Sequence, residues 1–425
     1  MMPLQSNVTG ATYANGVQSS MTYDALNRIS GLSTPSTSFS YSRGATGNLT
    51  GATEGNGRTL SWTYDGIYRL TNETISGDPT HNNGSSSYSL DPVGNRLSES
   101  TNMPGMDSGS FGYNADDEVS TETYDNNGNT LATGGKTFAY DAENHLTSMN
   151  SGTVTLIYDG DGNRVSKTVG GVTTQYLVDG MNPTGYAQVV EEVVGGAVAR
   201  QYTYGLQRIS ENQVIENVWT PSFYGYDGGG NVRNLTNTAG TITDDYEYDA
   251  FGNAFTKVGT TPNNYLYRGE QYDSDLGLYY LRARYYNPAT GRFMSRDPED
   301  GYTNDPASLH KYLYVGGDPV NALDPMGRDI VEYNAANRRL GFQLHHIVEQ
   351  RFGRLFGGAV CSLAAVLTVV EHQAITNAWR RAIPYGIAGT GLATIEQVFA
   401  VAEQIYANSP EMAAALQECK ALAGL

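Results

Sequence analysis

Three of the six histidines in this 425-residue chain, His345, His346 and His372, fall in its last quarter. Imidazole titrates near neutral pH and also binds divalent metals, so such a cluster points to metal-assisted hydrolysis with a general base. The string QLHHIVEQRF sets a strand-like leucine before the pair, and after an apolar stretch LTVVEHQAITNAWRRAIPYG reads as a short strand running into a helix. Neighbouring side chains on a strand point to opposite faces. A bulge at the strand end lets one histidine bind a metal while the other aims at a water. A His-His pair by itself is more often structural or solvated. What turns the reading towards chemistry is His372 ahead of an amphipathic helix that carries Trp379.

These histidines need a small folded support, and residues 329–425 have the composition for one: turn glycines thin out and alanine rises. Ile395, Val398, Phe399, Ala402, Ile405 and Tyr406 follow an i, i+3, i+4 pattern, which predicts one buried helix face. Ser409, Pro410 and Glu411 read as N-cap, first turn and favourable acid of a last helix ending near Gly424. The uncharged run from Leu355 to Val370 has 16 residues and two glycines. That is short of the ~20 needed to span a bilayer as a helix, so it reads as buried protein and no stable membrane span is expected. Trp379 and Tyr385 read as core. Cys361, in the apolar run, reads as an inert thiol. With Cys419 it makes only two cysteines, too few for a disulfide framework or a cysteine zinc knuckle.

Upstream the character is different. Glycine reaches 50 residues, and tyrosine, at 31, far outnumbers phenylalanine, at 11. An aromatic-Tyr-Asp unit followed by Gly-Asn and a basic or apolar pair recurs from Thr22, Thr63, Asp91, Thr123, Ala139, Ile157, Gly225 and Glu247, often about 16 to 24 residues apart. This predicts a hairpin repeat: an aromatic strand ends at aspartate, Gly-Asn or Asp-Gly supplies the positive φ of the turn, and the next strand returns. Residues 1–328 hold 19 basic and 36 acidic side chains, against 7 and 8 in 329–425. An acidic repeat region repels nucleic acid, so any polyanion chemistry belongs to the tail.

The YD units, together with YLYRGEQYDSDLGLYYLRARYYNPATGRFMSRDPED over 265–300 and LHKYLYVGGDPVNALDPMGRD over 309–329, resemble the Rhs/YD-repeat family and its associated core. The resemblance covers roughly residues 20–328 and is specific, because GLYYLRARYY, GRFMSRDP and NALDPMG come in that order at close spacing. It implies YD repeats over 1–264, a core and self-cleavage plug over 265–328, and a variable toxin over 329–425. The implied fold is mainly β, a strand ribbon spiralling into a shell. Family shells are several times longer, so a partial shell is expected here. The family pattern singles out Asp297 and Asp324 as a pair that shares a proton, one acting as base and the other as acid. Arg296 would hold one ionised or steady an oxyanion. Cleavage is then expected after Arg328, which stands where the family junction carries leucine, releasing 97 residues. Without the resemblance, both Asp-Pro steps read as turn initiators.

The tail resembles the HNH/endonuclease VII, or ββα-metal, nucleases, in particular the LHH-type toxin domains attached to Rhs proteins. This implies a small α-rich domain. Carried over position by position, His346 is the general base, His345 the first metal ligand and His372 the second. Thr376 and Asn377 stand where a closing histidine is expected, so Asn377 is taken as an oxygen ligand and Mg²⁺ is favoured over Zn²⁺. Arg351, Arg354, Arg380 and Arg381 would hold the nucleic-acid backbone. Glu349 reads as a partner for an arginine rather than as a guide for a histidine.

The resulting expectation is a bacterial polymorphic toxin that delivers a metal-dependent nuclease into competitor cells, acting on DNA ahead of RNA. An immunity protein and a secretion-system partner are implied. The first twenty residues lack a basic patch and an apolar core, so export without a cleavable signal to the cell surface or outside is expected, with action in the target cytoplasm. Two other classes compete. One is a nonenzymatic surface or carbohydrate-binding YD-repeat protein, and the other is a toxin whose tail acts on membranes.

Overall fold

Each YD turn is closed by its aspartate. The computed structural model describes residues 7–34, 37–298, 301, 306–328, 331–332, 342–346, 364–368, 394–406 and 416–417, and the turn rule recurs through the repeats. Asp65 Oδ1 accepts the backbone N–H groups of Ile67 at 3.0 Å and Arg69 at 2.9 Å, while Oδ2 accepts Arg69 Nε at 2.7 Å. Asp227 does the same with Gly229 and Asn231, and Asn231 Nδ2 reaches its second oxygen at 2.9 Å. Asp24, Asp91, Asp125, Asp141, Asp159 and Asp249 each accept the N–H four residues on. The residue before that donor has positive φ, as at Gly94, Gly128, Gly230 and Gly252, or at Asn27, Tyr68 and Asn144. The strand ends at the aspartate and the turn takes positive φ, as predicted, and the carboxylate gathers N–H groups that a tighter turn would pair across the strands.

The tyrosine before the aspartate steps out of the ladder. Pairing slips by one residue at Tyr64, Tyr158, Tyr226 and Tyr248, the local signature of a bulge. The freed hydroxyls donate back to the carbonyls that open the preceding strand: Tyr64 to Leu49 at 2.6 Å, Tyr158 to Leu146 at 2.8 Å, Tyr226 to Arg208 at 2.7 Å and Tyr248 to Val232 at 2.9 Å.

Short local links of this kind string together two meanders. Ten strands run in sequence order from Gly10–Thr12 to Gly109–Ser110, and fourteen from Thr123–Tyr124 to Ala254–Val258, every neighbour antiparallel. A four-strand sheet follows, made of Gln271–Asp273, Leu278–Leu281, Arg284–Asn287 and Arg292–Phe293. The fold is mainly β, as expected. Three apolar clusters join repeat strands to residues 265–322. One unites Tyr224, Val232, Leu235 and Tyr246 with Tyr267, Tyr279 and Tyr286; a second unites Phe138 and Val154 with Leu278 and Met294; a third unites Trp62, Leu70 and Tyr88 with Phe251 and Val320.

Met1–Asn182 with Tyr186–Ala336 forms one compact unit, and Pro183–Gly185 with Asn337–Leu425 forms another. In the second, Phe342–His346 pairs antiparallel with Ala364–Thr368. The helix Ile395–Tyr406 buries Val398, Phe399, Ala402 and Tyr406, the predicted face. Its start is a reciprocal cap that the sequence reading missed: Thr394 N–H donates to Gln397 Oε1 at 3.0 Å, and Gln397 N–H to Thr394 Oγ1 at 3.3 Å. Of the last predicted helix, Leu416 and Gln417 are described and helical. Among the described residues no helix is long and apolar enough to cross a membrane.

Candidate functional site

Strand Leu278–Leu281 turns into Arg284–Asn287 through Arg282 and Ala283, with Leu281 opposite Arg284 and Arg282 at φ +62°. The segment Asp324 to Arg328 is laid on this turn. Ala283 N–H donates to the Met326 carbonyl at 3.3 Å, and a guanidinium N–H of Arg282 donates to the Pro325 carbonyl. Gly327 has φ +67°, and a Cβ there would meet the Leu281 carbonyl oxygen at 2.6 Å, so only glycine lets the segment pass this close. Neighbouring loops are held by the same device. Arg268 donates to the carbonyls of Gly229, Pro319 and Val320, and Arg292 to Asn95 Oδ1 and the Asp117 carbonyl. Buried loop carbonyls need donors, and the five N–H groups of arginine supply several at once.

The predicted carboxylates meet on a residue that the sequence reading did not choose. Arg284, 4% exposed, places Nη2 at 2.7 Å from Asp297 Oδ2 and 3.5 Å from Asp324 Oδ2. The two oxygens can be no farther apart than those distances together, about 6 Å. Its plane lies over the Phe293 ring at 3.6 Å. Nε donates to the Gly327 carbonyl, and Nη1 to the Lys311 carbonyl at 3.2 Å. Burial pulls Arg284 below the ordinary arginine value, against the opposing pull of Asp297 and Asp324. Asp324 is buried, and its Oδ1 accepts the backbone N–H of Arg328 at 3.0 Å. Asp297 is half-buried and donates its own N–H to the Lys311 carbonyl at 2.8 Å. Arg296 is exposed, and its side chain runs over Gly128, with Cδ where a Cβ of residue 128 would stand. A shallow recess beside Arg284 is lined by Tyr140, His145, Tyr158, Arg282, Tyr285 and Ser295.

His310 holds the segment that presents Lys311. Its Nδ1 accepts the N–H groups of Tyr312 at 3.1 Å and Leu313 at 3.0 Å, and Nε2 faces Asn95 Oδ1 at 2.9 Å. Burial, with Arg292 adding to it, pushes this imidazole down to about 4. A neutral ring with a fixed tautomer suits support rather than catalysis. Nothing in the local sequence marks His310, whereas Arg284 had a signal: a cation inside the aromatic run GLYYLRARYY, where a strand between tyrosines cannot leave it in water.

In the tail, His345 and His346 end the strand Phe342–His346, opposite Ala365 and Ala364. His372, Asn377, Arg351, Arg354, Arg380 and Arg381 lie outside the described residues, as do Glu349, Thr376, Trp379, Tyr385 and Cys361. Among the described residues, no three histidine, cysteine, aspartate or glutamate side chains come together as a metal site.

No protein-family model matches the chain. It is 33% identical over 263 residues to the tRNA3(Ser)-specific nuclease WapA of Bacillus spizizenii, covering 58% of this chain and 11% of that protein. It is 41% identical over 61 residues to the toxin protein Tse5 of Pseudomonas aeruginosa, covering 14% and 4%. The chain thus spans about a tenth or less of the length of these two relatives. In fold it is similar to a chain of the Tc holotoxin pore of Photorhabdus luminescens, with TM-score 0.60, 20% identity, and coverage of 74% of this chain and 18% of the other.

Proposed function

We propose that this chain is part of an Rhs/YD-type polymorphic toxin whose plug cuts the chain after Arg328 and whose tail, residues 329–425, is a nuclease. The observation that carries the reading is the carboxylate pair gathered on Arg284, with Asp324 holding the N–H of Arg328. In the cutting step, water adds its oxygen to the Arg328 carbonyl carbon and passes a proton to the ionised carboxylate. The protonated carboxyl gives its proton to the Asp329 nitrogen as the carbon–nitrogen bond breaks. An acid remains on Arg328 and an amine on Asp329, and the pair still holds one proton. Intact mass measurement of purified chain should show a 97-residue fragment that Asp324→Asn abolishes. A single full-length species in both preparations refutes the step.

The nuclease half rests on the two histidines at a paired strand end and on the nuclease and toxin names of the relatives. A divalent ion held by His345, His372 and Asn377, Mg²⁺ ahead of Zn²⁺, would supply the charge that polarises a scissile phosphate. His346 takes the proton of the attacking water. Arg351, Arg354, Arg380 and Arg381 hold the phosphate backbone, and an immunity protein and a delivery system complete the set of partners. The sequence favoured DNA; the names of the WapA relatives favour tRNA as the first substrate to test. Expression of the chain in a host without immunity, with tRNA, bulk RNA and plasmid DNA followed in parallel, separates the two. Equal toxicity of the wild-type and His346→Ala chains refutes the assigned base.

A further inference from the structure

We propose that Asn95 is a positioning residue for the cut: it docks the Asp91–Asn95 repeat turn on residues 265–328 and, through His310 and the Lys311 carbonyl, holds Asp297 in place. This rests on the self-cleavage reading above. In its simplest form the residue four beyond a turn aspartate serves that aspartate alone, as Asn163 serves Asp159. Asn95, 1% exposed, does more. Its Nδ2 donates to Asp91 Oδ2 at 3.0 Å and to Asp117 Oδ1 at 2.6 Å. Its Oδ1 accepts Arg292 Nη1 at 2.7 Å and faces His310 Nε2 at 2.9 Å.

The chemistry fixes the direction of each of these bonds. Two carboxylates on one side of the amide demand its donors, so its oxygen is turned to the arginine and the imidazole. His310 Nδ1 accepts the N–H groups of Tyr312 and Leu313, so the proton of the neutral ring sits on Nε2 and is donated to Asn95. The ring thereby shapes the turn through Lys311, whose carbonyl takes the Asp297 N–H at 2.8 Å and Arg284 Nη1 at 3.2 Å. Asn231 and Asn253 also dock on this region, at the Arg268 N–H and the Pro288 carbonyl, but it is Asn95 that bonds to His310. Arg292 and His310 lie 197 and 215 residues along the chain from Asn95, so the relay exists only once the repeat turn has seated. Cutting therefore waits for the ten-strand meander to close on residues 265–328, and a half-folded chain keeps its tail.

The test follows release of the 97-residue fragment over time by intact mass. Full-length chain is made by cell-free synthesis with His346→Ala in every version, so that a nuclease tail does not consume the mixture. Asn95→Ala removes the oxygen that Arg292 and His310 share and should slow release by about tenfold or more, the scale of a small misplacement at a reacting group. Asn163→Ala opens an equivalent turn that has no hydrogen bond from Asn163 to residues 265–328 among the described residues, and should release at the parent rate. Asn95→Asp separates positioning from mere support. It keeps an oxygen for Arg292 and His310 but sets a third carboxylate beside Asp91 and Asp117, so its tyrosine fluorescence melt should fall while its rate stays near the parent's. Equal rates for the parent and Asn95→Ala overturn the role of Asn95 and leave self-cleavage standing. An Asp variant as slow as the Ala variant assigns the effect to the turn and also overturns it. If Asn95→Ala does not fold, judged by its melt, His310→Ala takes its place, and a parent rate there overturns the relay. No fragment from any chain overturns the self-cleavage reading and this inference together.

Discussion

The repeats and residues 265–328 solve one problem, loop closure, in opposite ways. A repeat turn is closed by its own aspartate within four residues, and its tyrosine hydroxyl reaches back 12 to 18 residues. In residues 265–328, closure comes from arginines that reach across the chain: Arg164 pairs with Asp273, 109 residues away, and Arg292 with Asn95, 197 residues away. Local closure costs little chain entropy and can be repeated, so a ribbon grows one unit at a time. Long-range closure by buried charge gives nothing until both partners are in place. Once made, it fails hard if either is removed, because an unpaired buried charge remains.

The sharpest way to break this comparison is at Asp273, 2% exposed and bound by Arg164, by Lys167 at 2.7 Å and by the Tyr285 hydroxyl at 3.2 Å. Asp273→Ala should lower unfolding free energy by about 3–5 kcal/mol in urea denaturation. A loss below about 1 kcal/mol would mean that these long-range charges are not held tightly.

Next comes pH. Burial pushes Glu211 up to about 7, against the pull of Arg200 and a hydrogen bond from Tyr224. A carboxyl raised in the folded state contributes stability in full below about pH 4.5, its ordinary range, and loses it as pH rises through 7. The wild-type chain should therefore lose on the order of 3 kcal/mol between pH 5 and pH 8 from this group. Glu211→Gln should remove that part of the slope in thermal melts, and parallel curves for the two chains would contradict it.

Smaller still, Tyr158→Phe leaves the Leu146 carbonyl without its 2.8 Å donor and should cost about 1 kcal/mol. Faster amide exchange should be confined to the two adjoining repeats. Spread of that change into residues 271–293 would show that the ribbon is not modular. Least of all, Arg28→Ala removes a partly exposed pair with Asp24 at 2.7 Å and should cost between about 0 and 1 kcal/mol.

Much of the ribbon was legible because its determinants are local. Asp91, Asp125 or Asp227 needs only the residues that follow it, so the spelling Asp-x-x-Gly-Asn announces the turn. The gathering of N–H groups by the carboxylate was not legible, since it leaves no mark in the pattern. The helix face at Val398, Phe399, Ala402 and Tyr406 was legible for the same local reason. The choice of Arg284 over Arg296 was not. Arg296 adjoins Asp297 in sequence, but neighbours on an extended chain point apart, while Arg284 arrives from another strand.

The order of residues determines by itself that this chain makes a tyrosine-rich β ribbon with aspartate-closed turns, because each turn and each hydroxyl tie is satisfied within about twenty residues. Only the tertiary structure decides which cation stands between Asp297 and Asp324 and why Gly327 must be glycine. Those facts depend on which strands are stacked beside one another, and side chains separated by tens of residues meet only after the core has closed.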